Sequence, residues 1–343
     1  MSRLSSSLKV LAIGAALAAP ANSALAWGSS GHRLVGVLGA QGLPSDVPAF
    51  LRTPTAVAAI GEYAREPDRS KGSGKIHDHD RDSAHFLDVD DQGRMYGGPM
   101  FTVEAMPGTR ADYETALRAA GVDSWKAGYL PYAIIDGYQQ LVKDFTYWRI
   151  LVAAEKSATD PVKKAWYAAD LKRREDLLIR DLGVWAHYVG DASQPMHLSV
   201  HYNGWGDYPN PNGYTQSRST HFNFEGPLAK AVGDEAQVKA LMPAYKDCAC
   251  SIETRVVGYL TTTWKETEPL YALEKAGGLV DTDPRGKAFT QARLAAGATA
   301  LRDLVTEAWR ESANGKIGYR PEISVADVES GKADPWPDLY GKD

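Results

Sequence analysis

Apolar residues in this chain recur at three- and four-residue steps over long stretches and show no convincing run of alternation. From Leu130-Pro131 toward Lys156, the residues Ile134, Ile135, Tyr138, Leu141, Val142, Phe145 and Trp148 keep that step and predict one long helix. Asp160-Pro161 opens a second, Pro161 suiting a first helical turn. That segment carries charge through Lys172, Arg173, Arg174 and Glu175, then turns apolar from Leu177 to Val189. Shorter helices are predicted at 31–43, 57–65, from Ala111 onward, and at 228–242, 252–275 and 287–312. Pro44, Pro54 and Glu66-Pro67 punctuate the early ones. The stretch 68–82, crowded with Gly, Lys, Asp and His, reads as a loop, 84–89 as a short extended piece, and Asp90-Asp91-Gln92-Gly93 as a turn. Residues 201–219, rich in Asn, Gly, Pro and Tyr, make a second loop, and the tail after Asn314 reads as largely irregular. The expected class is mainly α: a single multi-helix domain with long loops.

The first residues change the picture. Basic Arg3 and Lys9 precede an apolar run from Val10 to Ala19, and Ala24-Leu25-Ala26 follows as a small-x-small cleavage pattern. The expectation is a signal peptide over 1–26, a mature domain over 27–343, and a secreted or periplasmic location. No later apolar run approaches the roughly 20 residues of a membrane span. Cleavage there makes Trp27 the mature terminus. Its α-amine titrates near neutrality, and unprotonated it is a ligand that its own carbonyl oxygen makes bidentate. The plainer alternative is that Trp27 begins a hydrophobic helix.

The 43 acidic residues outnumber the 38 basic ones, which argues against a general nucleic-acid coat protein. The same balance leaves room for a phosphodiester substrate, because bound metal supplies local positive charge. Cys248 and Cys250 are the only cysteines and stand too close to staple distant parts of a fold. They read as a local feature of a surface loop.

Histidines and acids carry the candidate chemistry. In the run from His187 to His197, His187 and Asp191 are four apart on a helical stretch and leave the same face. Pro195 should end that helix near Gln194, and the turned chain can return His197 to the same cavity. His221 and Glu225 repeat the four-residue step, although Gly226-Pro227 interrupts a regular helix there. Each pair alone fits a buried hydrogen bond as well. Asp68 and His85 stand upstream, and His32 follows Trp27 by five residues. Together Trp27, His32, Asp68, His85, His187, Asp191, His197, His221 and Glu225 offer nitrogen and carboxylate donors without thiolate, a set that suits catalytic zinc. Nine donors exceed one ion's needs and suit about three.

In this order of motifs the chain resembles the S1/P1 nuclease and zinc-dependent phospholipase C superfamily. The shared elements are the mature N-terminal Trp, an upstream Asp and His, an H-x3-D-x5-6-H core containing Gly-Asp and Gln-Pro, and a final H-x3-E. They run from Trp27 to Glu225. The resemblance implies the fold of that superfamily and three zinc ions. Asp68, His85, His187 and Asp191 would hold one. The amine and carbonyl of Trp27, His32 and a bridging Asp191 would hold the second, and His197, His221 and Glu225 the third. Asp68 would also influence the attacking water, with Asp78, Asp80 and Asp82 as alternatives to it. Lys71 would stabilise the phosphate where family nucleases tend to have arginine.

The expected activity is hydrolysis of phosphoric esters through an activated water. No Gly-x-Ser-x-Gly elbow or P-loop is present. The Trp-x4-His spacing looks like the nucleases, with single-stranded DNA or RNA and 3′-nucleotides as substrates. His85-Phe86-x-Asp88 matches their base-binding element, Phe86 stacking and Asp88 hydrogen-bonding, although phospholipases carry a similar sequence. The alternative is a phospholipase C acting on phosphatidylcholine-like head groups, to which Glu225 and Gln194-Pro195-Met196-His197 look closer. The aromatic loop of Tyr202, Trp205, Tyr208 and Tyr214 serves either reading, or packs onto its own domain. A third possibility is a helical protein that binds zinc without turnover. No stable protein partner is implied. His77, His79 and His201 remain over: an extra site or a polar loop for the first two, an orienting or an exposed role for the last.

Overall fold

The structure, a computed structural model, describes residues 27–341. The expected leader, residues 1–26, lies outside them. Eight longer helices frame the chain: α1 (Ser29–Gln41), α2 (Pro54–Tyr63), α3 (Arg110–Ala119), α4 (Leu130–Ser157), α5 (Pro161–Asp191), α6 (Ile252–Trp264), α7 (Thr267–Lys275) and α8 (Pro284–Glu311). Among the described residues, strand is confined to one antiparallel pair, β1 (Lys316–Ile317) with β2 (Ile323–Ser324), and three isolated bridges. The fold is mainly α, as the periodicity predicts.

Capping fixes where the long helices begin. The Asp160 carboxylate accepts from the N–H groups of Val162 and Lys163 ahead of α5, Thr53 caps α2, and Asp283 caps α8, each with proline in the first turn. The helices α4 and α5 pack along each other most extensively, and α1 lies across α2, α5 and α8. One large core joins them, with Trp27, Leu38, Ile60, Leu130, Leu182 and Leu301 among its buried members. Trimming such a residue to alanine costs about 2–5 kcal/mol. Two small satellite cores, around Ile150 and Leu151, bind the C-terminal segment to α4 and α5. Glycine permits the close crossing of α2 and α5: a Cβ on Gly183 would come within 2.5 Å of Tyr63.

Several boundaries depart from the sequence reading. Residues 68–82 are not one loop, since Glu66–Arg69 and Lys75–Arg81 are short helices. There Asp78 accepts from the N–H of Gly72 and ties the intervening turn to the second helix. The extended piece at 84–89 starts later than predicted, because Asp82–His85 is a 3-10 turn, and it pairs through Leu87 with Gly128 and Val89 with Met95. The helix predicted at 228–242 is broken at Gly233, after which Asp234 caps a new turn at Glu235–Ala240. The one at 252–275 divides at Lys265 and Glu266 into α6 and α7. The tail after Asn314 holds β1, β2 and the short helices Val325–Glu329 and Trp336–Leu339. Cys248 and Cys250 are bonded to each other, a local link as their spacing requires. No helix among the described residues is long and apolar enough to cross a membrane.

Candidate metal centre

The last turn of α5 carries His187 and Asp191 on one buried face. The helix stops at Asp191, three residues before the expected end. Pro195 holds Gln194 in an extended conformation, and the Gln194 side chain accepts from the Met196 N–H to start a 3-10 turn at Pro195–His197. That turn points His197 back toward His85, whose backbone oxygen accepts the His197 Nδ1–H at 2.6 Å. Glu225 sits on a π turn, Phe224–Leu228, that accommodates Pro227 directly after the short helix Thr220–Asn223. The interruption expected from Gly226-Pro227 therefore leaves the four-residue pair intact, with His221 Nε2 2.7 Å from Glu225 Oε2.

Three donor groups result, each within 4.8 Å: His32, Asp68 and His187; His85, His187 and Asp191; and His197, His221 and Glu225. His187 Nε2 lies 3.4 Å from Asp191 Oδ2 and 3.9 Å from Asp68 Oδ1, and His85 Nδ1 lies 3.2 Å from Asp191 Oδ2. The other Asp191 oxygen is 3.4 Å from His32 Nε2. The rings of His32 and His187 stack at 3.8 Å. Gly190 leaves room for this, since a Cβ there would approach His32 Nδ1 to 3.2 Å. Among the loop aspartates, Asp68 is the one that joins a donor group among the described residues.

Trp27 is fully buried beside these groups. Its indole N–H is shared between the Gly190 carbonyl at 3.0 Å and Ser193 Oγ at 2.9 Å, and the next N–H, of Gly28, donates to the Glu225 carbonyl at 3.0 Å. The residue is thus held between the Asp191 end of α5 and the Glu225 turn, ahead of α1 rather than inside it.

Hydrogen bonding tests whether the donors fit a cation. His187 donates Nδ1–H to the Ala64 carbonyl at 2.8 Å, and His221 donates Nδ1–H to that of Tyr202 at 2.6 Å; His197 does the same to His85. Each bond fixes the tautomer and leaves an Nε2 lone pair facing carboxylate oxygen or another imidazole. His187 Nε2 stands 2.9 Å from His85 Nδ1. His197 Nε2, Asp191 Oδ1 and Glu225 Oε1 are buried and make no hydrogen bond. Lone pairs and anions packed at such distances repel unless a cation lies among them. The donor set fits zinc: imidazole and carboxylate, with no thiolate.

Electrostatics agree. Burial pushes His32, His85 and His197 below the usual imidazole range, and it brings His187 down to about 4 against the pull of Asp68. These rings stay neutral, the form that ligates. Burial, followed by the charge of Asp68, pushes the Asp191 carboxyl well up, so its anionic form needs a cation nearby.

A cavity of about 500 Å³ opens onto His85, His197 and His221. Lys71 lines it and pairs with Asp68 at 2.7 Å. Phe86 lies on its wall, outside the core, and Asp88 is 3 % exposed with Oδ1 unbonded. Asp88 is not a turn former. Asp90 does that work, accepting from the N–H groups of Gln92, Arg94 and Gly97. Burial alone pushes the Asp88 carboxyl well above the usual range. Tyr202 stands half-exposed at the same cavity, whereas Trp205 and Tyr214 are buried and pack their loop onto Tyr271. The sequence reading missed Tyr96, Trp125 and Lys126, which also line the cavity. No local pattern marks them: Trp125 and Lys126 come from the short helix Ser124–Ala127 and Tyr96 from a distant turn. His77 and His79 lie outside the donor groups, beside Asp78 and Asp80 in Lys75–Arg81. His201 is buried, not exposed.

No protein-family model matches the chain, and no curated protein matches it. Among solved structures it is similar to the alpha-toxin of Clostridium perfringens from avian strain SWCP. The two share 14 % identity with a TM-score of 0.36, over 86 % of this chain and 67 % of that one. A likeness of that size does not bear on what this chain does.

Proposed function

We propose that the chain is a zinc-dependent hydrolase of phosphoric diesters, exported and cut before Trp27. One observation carries this reading: the hydrogen bonds to Ala64, His85 and Tyr202 turn three Nε2 lone pairs into buried carboxylate clusters beside an open cavity. A purely structural zinc site is closed and thiolate-rich, and this one is neither. His187, His85, Asp68 and Asp191 would hold one ion; His32 and the Trp27 terminus, with Asp191 shared, a second; His197, His221 and Glu225 a third. Bound zinc supplies an acidified water and neutralises charge on the phosphate.

The chain's own residues do the rest. The Lys71 ammonium, held by Asp68 at the cavity wall, meets a phosphate oxygen and lowers the cost of charge developing there. Asp68, paired with Lys71 and one of the donors, would influence the attacking water. Phe86 and Asp88 hold the substituent.

Two ester classes suit that pocket, each on one observation. Phe86 beside the buried Asp88 carboxyl suits a nucleobase, whose face stacks and whose N–H donates. The half-exposed aromatics Trp125 and Tyr202 on the cavity wall suit a lipid surface, with Asp88 and the aromatics facing a choline group. The test is to incubate the chain beginning at Trp27 with denatured DNA, RNA, a 3′-nucleotide and phosphatidylcholine, with and without chelator. Chelator-sensitive release from nucleic acid alone identifies a nuclease, and release of diacylglycerol identifies a phospholipase. Zinc bound without turnover of any of them contradicts the proposal.

A further inference from the structure

His201 belongs to none of the donor groups, yet it is 2 % exposed and held from every side. Its Nδ1 lies 2.7 Å from the Trp205 carbonyl oxygen and its Nε2 2.8 Å from Asp91 Oδ1, so both ring nitrogens face acceptors. The ring stacks on the Trp205 indole at 3.7 Å. Its backbone N–H donates to Ser199 Oγ, and its carbonyl accepts from the Tyr271 hydroxyl at 2.6 Å. A ring that merely filled space would need neither the Trp205 carbonyl nor Asp91, and the two backbone bonds fix the peptide that carries it.

What this anchoring fixes is the next peptide. The Tyr202 carbonyl accepts the Nδ1–H of His221, and the Tyr202 ring stands at the cavity. Asp91 lies in the turn that follows Asp88. That segment is already joined to the His197 segment by two backbone bonds, Leu87 N–H to the His197 carbonyl and Val200 N–H to the Val89 carbonyl. The Asp91–His201 contact closes the far end of this seam with side chains, joining the wall that carries Phe86 and Asp88 to the wall that carries Tyr202.

We propose that Asp91 and His201 are a positioning pair: by fixing the Tyr202 carbonyl they orient His221, and so set the zinc affinity of the group His197, His221 and Glu225. The proposal rests on the metal reading above. Removing a polar partner that orients a ligating histidine lowers metal affinity by about ten- to a hundredfold. That loss should fall on one ion, since the bond that orients His187 comes from Ala64 on another segment.

The test uses the chain beginning at Trp27 carrying Asp91→Ala, Asp91→Asn and His201→Phe. Zinc is counted per chain while a chelator competes, and turnover is followed with bis(p-nitrophenyl) phosphate. His201→Phe keeps the stack on Trp205 without the ring nitrogens. Asp91 has a side chain 45 % exposed, so its replacement tests the pair even where His201→Phe fails to fold. Asp91→Ala and His201→Phe should each release one zinc at about ten- to a hundredfold less chelator than the unaltered chain and keep the others. The metal-stripped Asp91→Ala chain should melt close to the unaltered metal-stripped chain. Asp91→Asn, whose amide can meet His201 Nε2 as acceptor or as donor, should restore most of the affinity. If the unaltered chain holds zinc and Asp91→Ala holds all of it equally tightly, the pair has no positioning role while the metal reading stands. An unaltered chain without zinc overturns both.

Discussion

Asp191 Oδ1 faces the Nε2 of His32 at 3.4 Å across the contact between α1 and α5, while its other oxygen faces His187 and His85. One carboxylate therefore stands between two sets of imidazoles, whereas Glu225 faces one set, His197 and His221. Asp191→Asn should cost more than Glu225→Gln: loss of two zinc ions per chain against one, and a fall in turnover at least about tenfold larger. Elemental analysis of both purified variants checks this, and equal losses would count against a shared Asp191.

Trp27 gives a second prediction. Its indole is fixed by Gly190 and Ser193, so the residue is placed whether or not its amine is free. Only the cut chain offers that amine as a donor. Protein retaining residues before Trp27 should fold with an unchanged circular-dichroism spectrum, bind one zinc fewer, and lose most of its activity. Full zinc content and full activity in the uncut form would show that the terminus is not a ligand.

Much of this site is legible in the sequence, because its key pairs are local. His187 with Asp191 and His221 with Glu225 are spaced by one helical turn, and Pro195 announces the turn that returns His197. The long helices α4, α5 and α8 are legible for a related reason: an apolar stripe and a proline in the first turn leave little choice. What is not legible depends on contacts between distant segments. Asp88 reads locally as one more turn acid beside Asp90 and Asp91, and only the fold shows that it is buried while Asp90 makes the turn. The break after Val232 is partly tertiary, since Gln291 of α8 donates to the Val232 carbonyl beside the local Asp234 N–H. The tautomers of His187, His197 and His221 are set by carbonyls at Ala64, His85 and Tyr202, which have no side-chain signature at all.

Acid should act on His187 in a definite direction. Burial lowers its folded pKa to about 4, whereas an unfolded chain leaves it near 6.5. Below 6.5 the unfolded state takes up the proton first, so stability present at neutral pH is lost as pH falls toward 4. The buried Asp88 and Asp191 have the opposite sign, so the test is a difference between two chains. In chelator, the stability of the unaltered chain relative to His187→Gln should fall by up to about 3 kcal/mol between pH 6.5 and 4. Denaturant unfolding at several pH values measures it, and a flat difference would contradict the assignment.

Asp88→Asn isolates the buried carboxyl of the cavity. The folded pKa of Asp88 lies above its unfolded value, so the folded state binds that proton more tightly. The associated stability is present at low pH and is lost as pH rises through the folded value. Asparagine has no such charge to bury. The variant should be more stable by about 1–3 kcal/mol at pH 8 and equal to the unaltered chain near pH 3, with a raised KM. Lower stability at pH 8 would mean that the carboxylate is paired in the folded chain.

The most direct test of the central claim is the metal content of the chain beginning at Trp27, purified without added metal or chelator and measured by plasma mass spectrometry. The donor groups of the cleft, two of which share His187, together with the Trp27 terminus predict about three zinc ions per chain, lost together with activity on chelation and recovered with it on adding zinc. A folded chain with no stoichiometric transition metal, and no uptake of zinc when it is supplied, would contradict the account.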